Sequence, residues 1–432
     1  MTGTARAPSW AFALVGLTIL AVTWNGLLIG GSGLVDFLMV PAVAAAGARL
    51  LVTRRSPPIP WWLLQVGICI GLATVLSAIF PPDHTLVRSP LVELLQAAGT
   101  AVRSRSDVTS ALKFVVGIVL VPLLVAAVAT TSQRCRRLGD LWAMSALISA
   151  AVAVTNLLHL THVNAAVPGP DAREMGLTIQ PNHLGLICAM ALPVVAVWFN
   201  RDGRWRIASV MAGGVLLGAV YASGSRAGAV TALFAVLVTV LLVPRLRRSL
   251  PAVVPIVGML GILVLFFSNL SPQVAQKVRL SGSAATVAAS DRQRSFAATL
   301  ALKDVQARPL EGVGFAVIDD AHDIYLQLLA AGGIIMFASF LFYVAGAARI
   351  AVRLAAGPEH DLPLALGCSL MVWLLNGFVG NQVTDRYIFV PVGLLLALSL
   401  CAREPTGLAS AAGGRPAPYQ PGPDRLPVTA WR

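Results

Sequence analysis

Long apolar runs alternate with short polar gaps along most of the chain. Twelve such runs lie near residues 10–30, 33–52, 59–80, 109–130, 139–158, 182–199, 206–222, 227–243, 252–268, 323–347, 363–380 and 387–402. About 20 apolar residues in a helix match the ~30 Å hydrocarbon core of a bilayer, whereas barrel strands are shorter and alternate. Inside lipid every backbone N–H and C=O needs a partner, and a helix supplies it within one segment. The expected fold class is all-α: a polytopic membrane protein with about 12 transmembrane helices. The first run, from Trp10, lacks a small-residue cleavage site and leads into further spans. It reads as a retained helix, not a signal peptide.

The gaps orient the bundle. Gly30-Gly31-Ser32-Gly33 reads as a tight turn, and Arg49, Arg54 and Arg55 fill the second gap. With the N-terminus in the cytoplasm, the inside segments collect 19 of the 32 Lys and Arg residues. Arg134, Arg136 and Arg137, then Arg201, Arg204 and Arg206, then Arg245, Arg247 and Arg248 all fall in short inside gaps. This follows the positive-inside rule, which largely exempts long outside segments, and it places both termini in the cytoplasm. The outside segments become 81–108, 159–181, 223–226, 269–322 and 381–386.

Segment 269–322, between the ninth and tenth spans, is too long for a passive connection and is expected to be partly helical. Helical spacing runs from Arg292 to Val305, with Phe296, Thr299 and Leu300 as its apolar stripe. Pro309 ends that helix, and Gly312 and Gly314 turn the chain back. In 81–108 the stretch LVELLQAAGTAV is expected to lie on the membrane surface. Residues 1–403 form the transmembrane domain, and the Pro- and Gly-rich 404–432 a disordered cytoplasmic tail.

Composition supports this and removes some functions. The chain is 57% hydrophobic and only 12% charged, about half the charged share of a soluble domain. Its net charge of +13 would suit nucleic acid, but the arginines are spread between spans as topology requires, so no nucleic-acid partner is expected. None of the five cysteines lies in an outside segment, so no disulfide or cysteine metal site is indicated. There is no P-loop, dinucleotide fingerprint or internal repeat.

Candidate chemistry gathers in the outside segments. In Ser223-Gly224-Ser225-Arg226-Ala227-Gly228 an arginine opposes the inside bias among small residues, and its guanidinium suits a phosphate; the alternative is an interfacial arginine reaching for water. Arg292 and Arg294 are two further outside cations that could grip an anion with Arg226, and Lys303 and Arg308 are weaker candidates. Asp319-Asp320-Ala321-His322-Asp323 begins a span. There Asp319 or Asp320 suits a cap, Asp323 suits the first turn, and His322 can accept a proton from a hydroxyl, kept basic by a nearby carboxylate. A divalent-metal site is the rival reading of this cluster. In Gln180-Pro181-Asn182-His183, Asn182 reads equally as an N-cap or a sugar contact.

Taken together the chain resembles the O-antigen ligase and polymerase superfamily of bacterial envelope glycosyltransferases. The likeness rests on GLTIQPNHL at 176–184, SGSRAG at 223–228, and an outside loop carrying Arg294, then PL-x-GVGF from Pro309, then HDIYLQLLA from His322. It covers roughly residues 170–345. Two positions depart from the family pattern: Asp323 stands where Asn or Ser is usual, and Ala331 where Glu is frequent. The resemblance implies a metal-independent, cofactor-free, inverting glycosyltransferase in the cytoplasmic membrane. It would move a glycan from a polyprenyl diphosphate to a glycan, lipid or protein hydroxyl at the outer face. Arg226 with Arg294 (or Arg292) would hold the diphosphate, His322 would serve the acceptor, and Asn182, Lys303 and Asp323 would contact substrate. A polymerase of the same superfamily is the first alternative. A transporter or flippase is the second, disfavoured because ionisable residues gather at one face and not within spans.

Overall fold

The computed structural model describes residues 9–29, 32–53, 59–81, 107–163, 173–201, 203–242, 284–317, 321–357 and 360–403. Among the described residues twelve α-helices follow in chain order: α1 Ser9–Ala21, α2 Leu34–Thr53, α3 Trp61–Ile79, α4 Asp107–Val128, α5 Ser132–Leu157, α6 Pro181–Trp198, α7 Gly203–Ser223, α8 Arg226–Leu242, α9 Ala284–Ala307, α10 Ile324–Ala355, α11 Asp361–Asn376 and α12 Val390–Cys401. The strands among the described residues are Leu28–Ile29 and Ser32–Gly33, an antiparallel pair flanking the first gap.

Among the described residues seven helices (α2 to α7 and α10) are long and apolar enough to cross a membrane, and α1, α8, α11 and the segment Arg386–Cys401 are shorter apolar helices. The expected span at 252–268, the surface stretch in 81–108 and the tail lie outside the described residues. A multi-pass helical membrane protein is thus compatible with the fold, while a count of twelve spans goes beyond it.

Helix α6 is the hub. Fourteen of its residues are buried, and it packs against α5, α7, α8 and α11. A helix apolar on all sides satisfies its whole surface only when surrounded by others. The cross-over with α8 is close because both partners are glycine there: a Cβ on Gly228 would lie 2.8 Å from the Gly185 Cα. In α4, Pro122 brings no N–H to the ladder, and the preceding Val116–Leu120 widens into a π turn.

Helix α10 is broken by its own glycines. Gly332 (φ −135°) and Gly333 (φ 64°, ψ −165°) leave helical geometry and free the carbonyls before them. The Gly312-Val313-Gly314 turn takes those carbonyls: Val313 N–H donates to Ala330 O at 2.8 Å and Gly314 N–H to Ala331 O at 2.9 Å. Ile334 N–H returns a bond to Pro309 O at 2.8 Å. Gly312 (φ 73°) and Gly314 (φ 105°) turn the chain as expected. Asp107, at the start of α4, accepts from Phe315 N–H, from Ala316 N–H and from the Ser77 hydroxyl. Arg308 donates to the carbonyls of Phe80 and Pro81 at the end of α3, a structural use of a residue first considered for substrate. The loop after α9 is thereby strapped to three helices.

Helix α9 corrects one expectation. Its buried face is Ala297, Ala301 and Asp304, while Phe296 and Thr299 are exposed and Leu300 is only partly buried. Alanines let α9 lie close on α10, and a phenylalanine at that contact would hold the helices apart.

Candidate functional site

At one end of the bundle a narrow cleft is lined by Arg173, Asn182, Arg226 and Arg294, and by Asn376, Gly380 and Gln382 from the end of α11 and its following loop. Residues more than 200 positions apart in sequence, Arg173 and Gln382, meet here. Asn182, Arg226 and Asn376 sit at helix ends, Arg294 comes from the middle of α9, and Arg173, Gly380 and Gln382 from connecting segments.

Arg226 is the first residue of α8. Gly224 (φ 55°) reverses the chain after α7, and Ser225 caps α8, its hydroxyl accepting from Gly228 N–H at 3.0 Å. The cap holds the arginine's backbone, and the exposed side chain points to the cleft. Gly176 (φ 55°) packs on the Ser149 carbonyl, so the GLTIQPN strap is laid against α5 before α6 begins. Asn182 is not the N-cap: Gln180 occupies that position, because Pro181 takes the first helical position. Asn182 instead accepts from the Arg173 guanidinium at 2.9 Å, and Arg173 Nε donates to Ser223 O at 2.8 Å. Arg173 therefore clasps α6 to the α7–α8 turn and lines the cleft beside Arg226.

The amide pair on the far wall is equally tied down. Asn376 donates to Gln382 Oε1 at 2.9 Å, and the Trp373 indole donates to Gln382 O at 3.0 Å. Gly380 fits only without a side chain. Three arginines and the N-termini of α6 and α8 give the cleft a positive field, and the N–H groups of a first helical turn add to it. The arrangement suits an anion with several oxygens, a phosphate or diphosphate above all.

His322, two residues before α10 with a left-handed backbone (φ 53°), is not among the residues that line the cleft; its link to the cleft is the charge of Arg294, which acts on it. Its pKa is lowered, chiefly by burial and then by the charge of Arg294. The imidazole is therefore neutral near pH 7 and open to a proton. The expectation that a carboxylate keeps it basic is corrected here. Asp323 is the N-cap of α10, with Oδ1 accepting from Tyr325 N–H at 2.8 Å and Leu326 N–H at 3.1 Å. Asp319 and Asp320 lie outside the described residues. Arg292 and Lys303 are exposed on α9 and are not among the residues that line the cleft, so of the two candidate loop arginines it is Arg294 that reaches it.

Sequence reasoning missed Arg173, Asn376 and Gln382. Arg173 carried the same signal as Arg226, an arginine on an outside segment, but without a turn of small residues to single it out. It also missed a polar knot behind the cleft. His183 Nδ1 lies 3.2 Å from Asp385, Asn25 donates to Asp385 at 3.1 Å, and the Asn25 carbonyl accepts from Ile179 N–H at 3.0 Å. This knot joins the loop after α1, the start of α6 and the loop after α11. Among the described residues no three His, Cys, Asp or Glu side chains gather as a metal site would require.

No protein-family model matches the chain, and no curated protein matches it either.

Proposed function

We propose that the protein is a membrane glycosyltransferase of the O-antigen ligase type, taking a glycan from a polyprenyl diphosphate to an acceptor hydroxyl. The proposal rests on one observation: Arg173, Arg226 and Arg294 converge with Asn182 on a single cleft, and the charge of Arg294 also acts on His322. The arginines grip the diphosphate and offset the charge that grows on it as the bond to the sugar breaks. The acceptor oxygen attacks the anomeric carbon as its proton passes to His322, and the polyprenyl diphosphate leaves with the electron pair of the broken C–O bond. His322 then returns the proton to water. Direct displacement inverts the anomeric centre and needs no covalent enzyme intermediate.

In this reading the cleft faces the outer side of the cytoplasmic membrane, because the arginine-rich short gaps lie at the other end of the bundle. A polymerase would use the same cleft with a second lipid-linked glycan as acceptor. The test incubates purified protein with defined polyprenyl-diphosphate glycans and candidate acceptors, and identifies the product. Transfer that disappears in Arg226→Ala and His322→Ala supports the reading. Full transfer in either variant, with normal membrane insertion, refutes it.

A further inference from the structure

A second and larger cavity, about 360 Å³, opens at the opposite end of the bundle between the start of α3 and the ends of α10 and α12. Its walls are apolar, and its rim carries Arg349, Arg353 and Arg403. Trp62 forms part of the wall. Its ring packs edge-on to Tyr343 at 5.4 Å between centroids and presses on Gly346, where any side chain would collide with it. Arg349 and Arg353 are one helical turn apart on α10, and Arg403 lies two residues past the end of α12. All three are exposed, and among the described residues none pairs with a carboxylate.

Three like charges at the mouth of an apolar groove at a bilayer edge repel one another. A negative group placed among them removes that repulsion, and an apolar tail covers the groove below. The chain's own tail is a poor occupant, because residues 404–432 carry Arg415, Arg425 and Arg432 against Glu404 and Asp424. Soluble phosphate would satisfy the arginines and leave the wall bare. Basic pockets between transmembrane helices at the cytoplasmic side are suited to anionic lipid headgroups. We propose that this groove is a binding site for an anionic glycerophospholipid of the leaflet opposite the cleft, with the phosphodiester on Arg349, Arg353 and Arg403 and an acyl chain against Trp62. The site depends on the chain spanning a membrane and not on its being a glycosyltransferase.

The experiment delipidates the full-length protein in detergent and titrates it with phosphatidylglycerol, phosphatidylcholine or tail-less glycerol phosphate. Bound lipid is counted by native mass spectrometry. Phosphatidylglycerol should bind with a preference that Arg349→Gln/Arg353→Gln/Arg403→Gln abolishes. At about fivefold per arginine, the loss for all three is roughly a hundredfold. Ala345→Trp, at an exposed position on the groove wall, keeps the three charges and fills the space, so it should also lose the lipid. Equal binding of phosphatidylcholine, equal binding of glycerol phosphate, or undiminished phosphatidylglycerol binding by folded, monodisperse variants of both kinds would each overturn the proposal.

Discussion

Substituting Gly333 by alanine tests whether the GVG turn and the break in α10 work as one clasp. At φ 64° and ψ −165° Gly333 occupies a backbone region open almost only to glycine, and a side chain there costs roughly 1–3 kcal/mol. A Cβ would also overlap the Leu310 carbonyl and peptide nitrogen of Glu311, which are backbone and cannot swing aside. Relief requires the turn to lift, and lifting it strips the bonds from Ile334, Val313 and Gly314. Leaving even one such buried group unpaired costs about 1–3 kcal/mol. The expected loss is therefore roughly 2–6 kcal/mol. The turn leads from α9, which carries Arg294, to His322, so activity should fall with stability.

The assay compares thermal melting in detergent and hydrogen exchange at Val313 and Gly314 for Gly333→Ala and for Gly213→Ala. Gly213 has nothing within 4 Å of a new methyl and sits inside α7, so its change should be neutral or mildly stabilising. A Gly333→Ala protein that melts like the Gly213→Ala control, with Val313 and Gly314 still protected, would refute the clasp.

Other consequences are separable from this one. The catalytic rate should rise with pH through a midpoint below the ordinary histidine value, since burial and Arg294 both hold His322 neutral. Arg294→Gln removes the second cause, so the midpoint of its residual kcat/KM profile should move up towards 6.5; an unmoved midpoint would show that the two side chains do not interact. Asp304 is buried in α9, with one carboxyl oxygen lacking a hydrogen bond, and burial pushes its pKa up to about 7. A raised carboxyl stabilises the fold at low pH, and that stability is lost as pH rises from about 4 to about 7. Asp304→Asn should therefore melt with less pH dependence over that window than the wild type, and parallel curves would count against it. Asp323→Ala removes a cap and should lower stability by ~1 kcal/mol, whereas Asp323→Asn should restore most of it. Glycan transfer should survive EDTA if arginines alone handle the diphosphate; loss of activity with recovery on Mg²⁺ would point to a metal.

The segments were readable because a bilayer allows little variety. Hydrophobic length is a one-dimensional signal, and α2 to α7 and α10 follow it closely. Gly312, Gly314 and Gly224 were legible as turns for a similar reason, since few residues accept positive φ. The face of α9 was not legible. Periodicity shows that a stripe exists, but whether a phenylalanine or an alanine faces the neighbour depends on how close that neighbour comes. Nor did the string reveal the partners of polar groups. Asp323 reads as a first-turn residue or a substrate contact, and only the placement of the Tyr325 and Leu326 N–H groups shows it to be the cap expected at Asp319 or Asp320.

The same division holds for the stretch from Arg294 to Gly333. Taken alone, its residues establish a polar, turn-rich stretch with a histidine and several cations between apolar runs. Only the tertiary structure decides that Arg294 rather than Arg292 meets Arg226, that Arg173 joins them, and that the glycines of α10 exist to receive the loop. Local pattern encodes burial and turning, because both are set by neighbours in sequence. A cleft is set by distances between residues far apart in sequence, and those come from helix packing around α6.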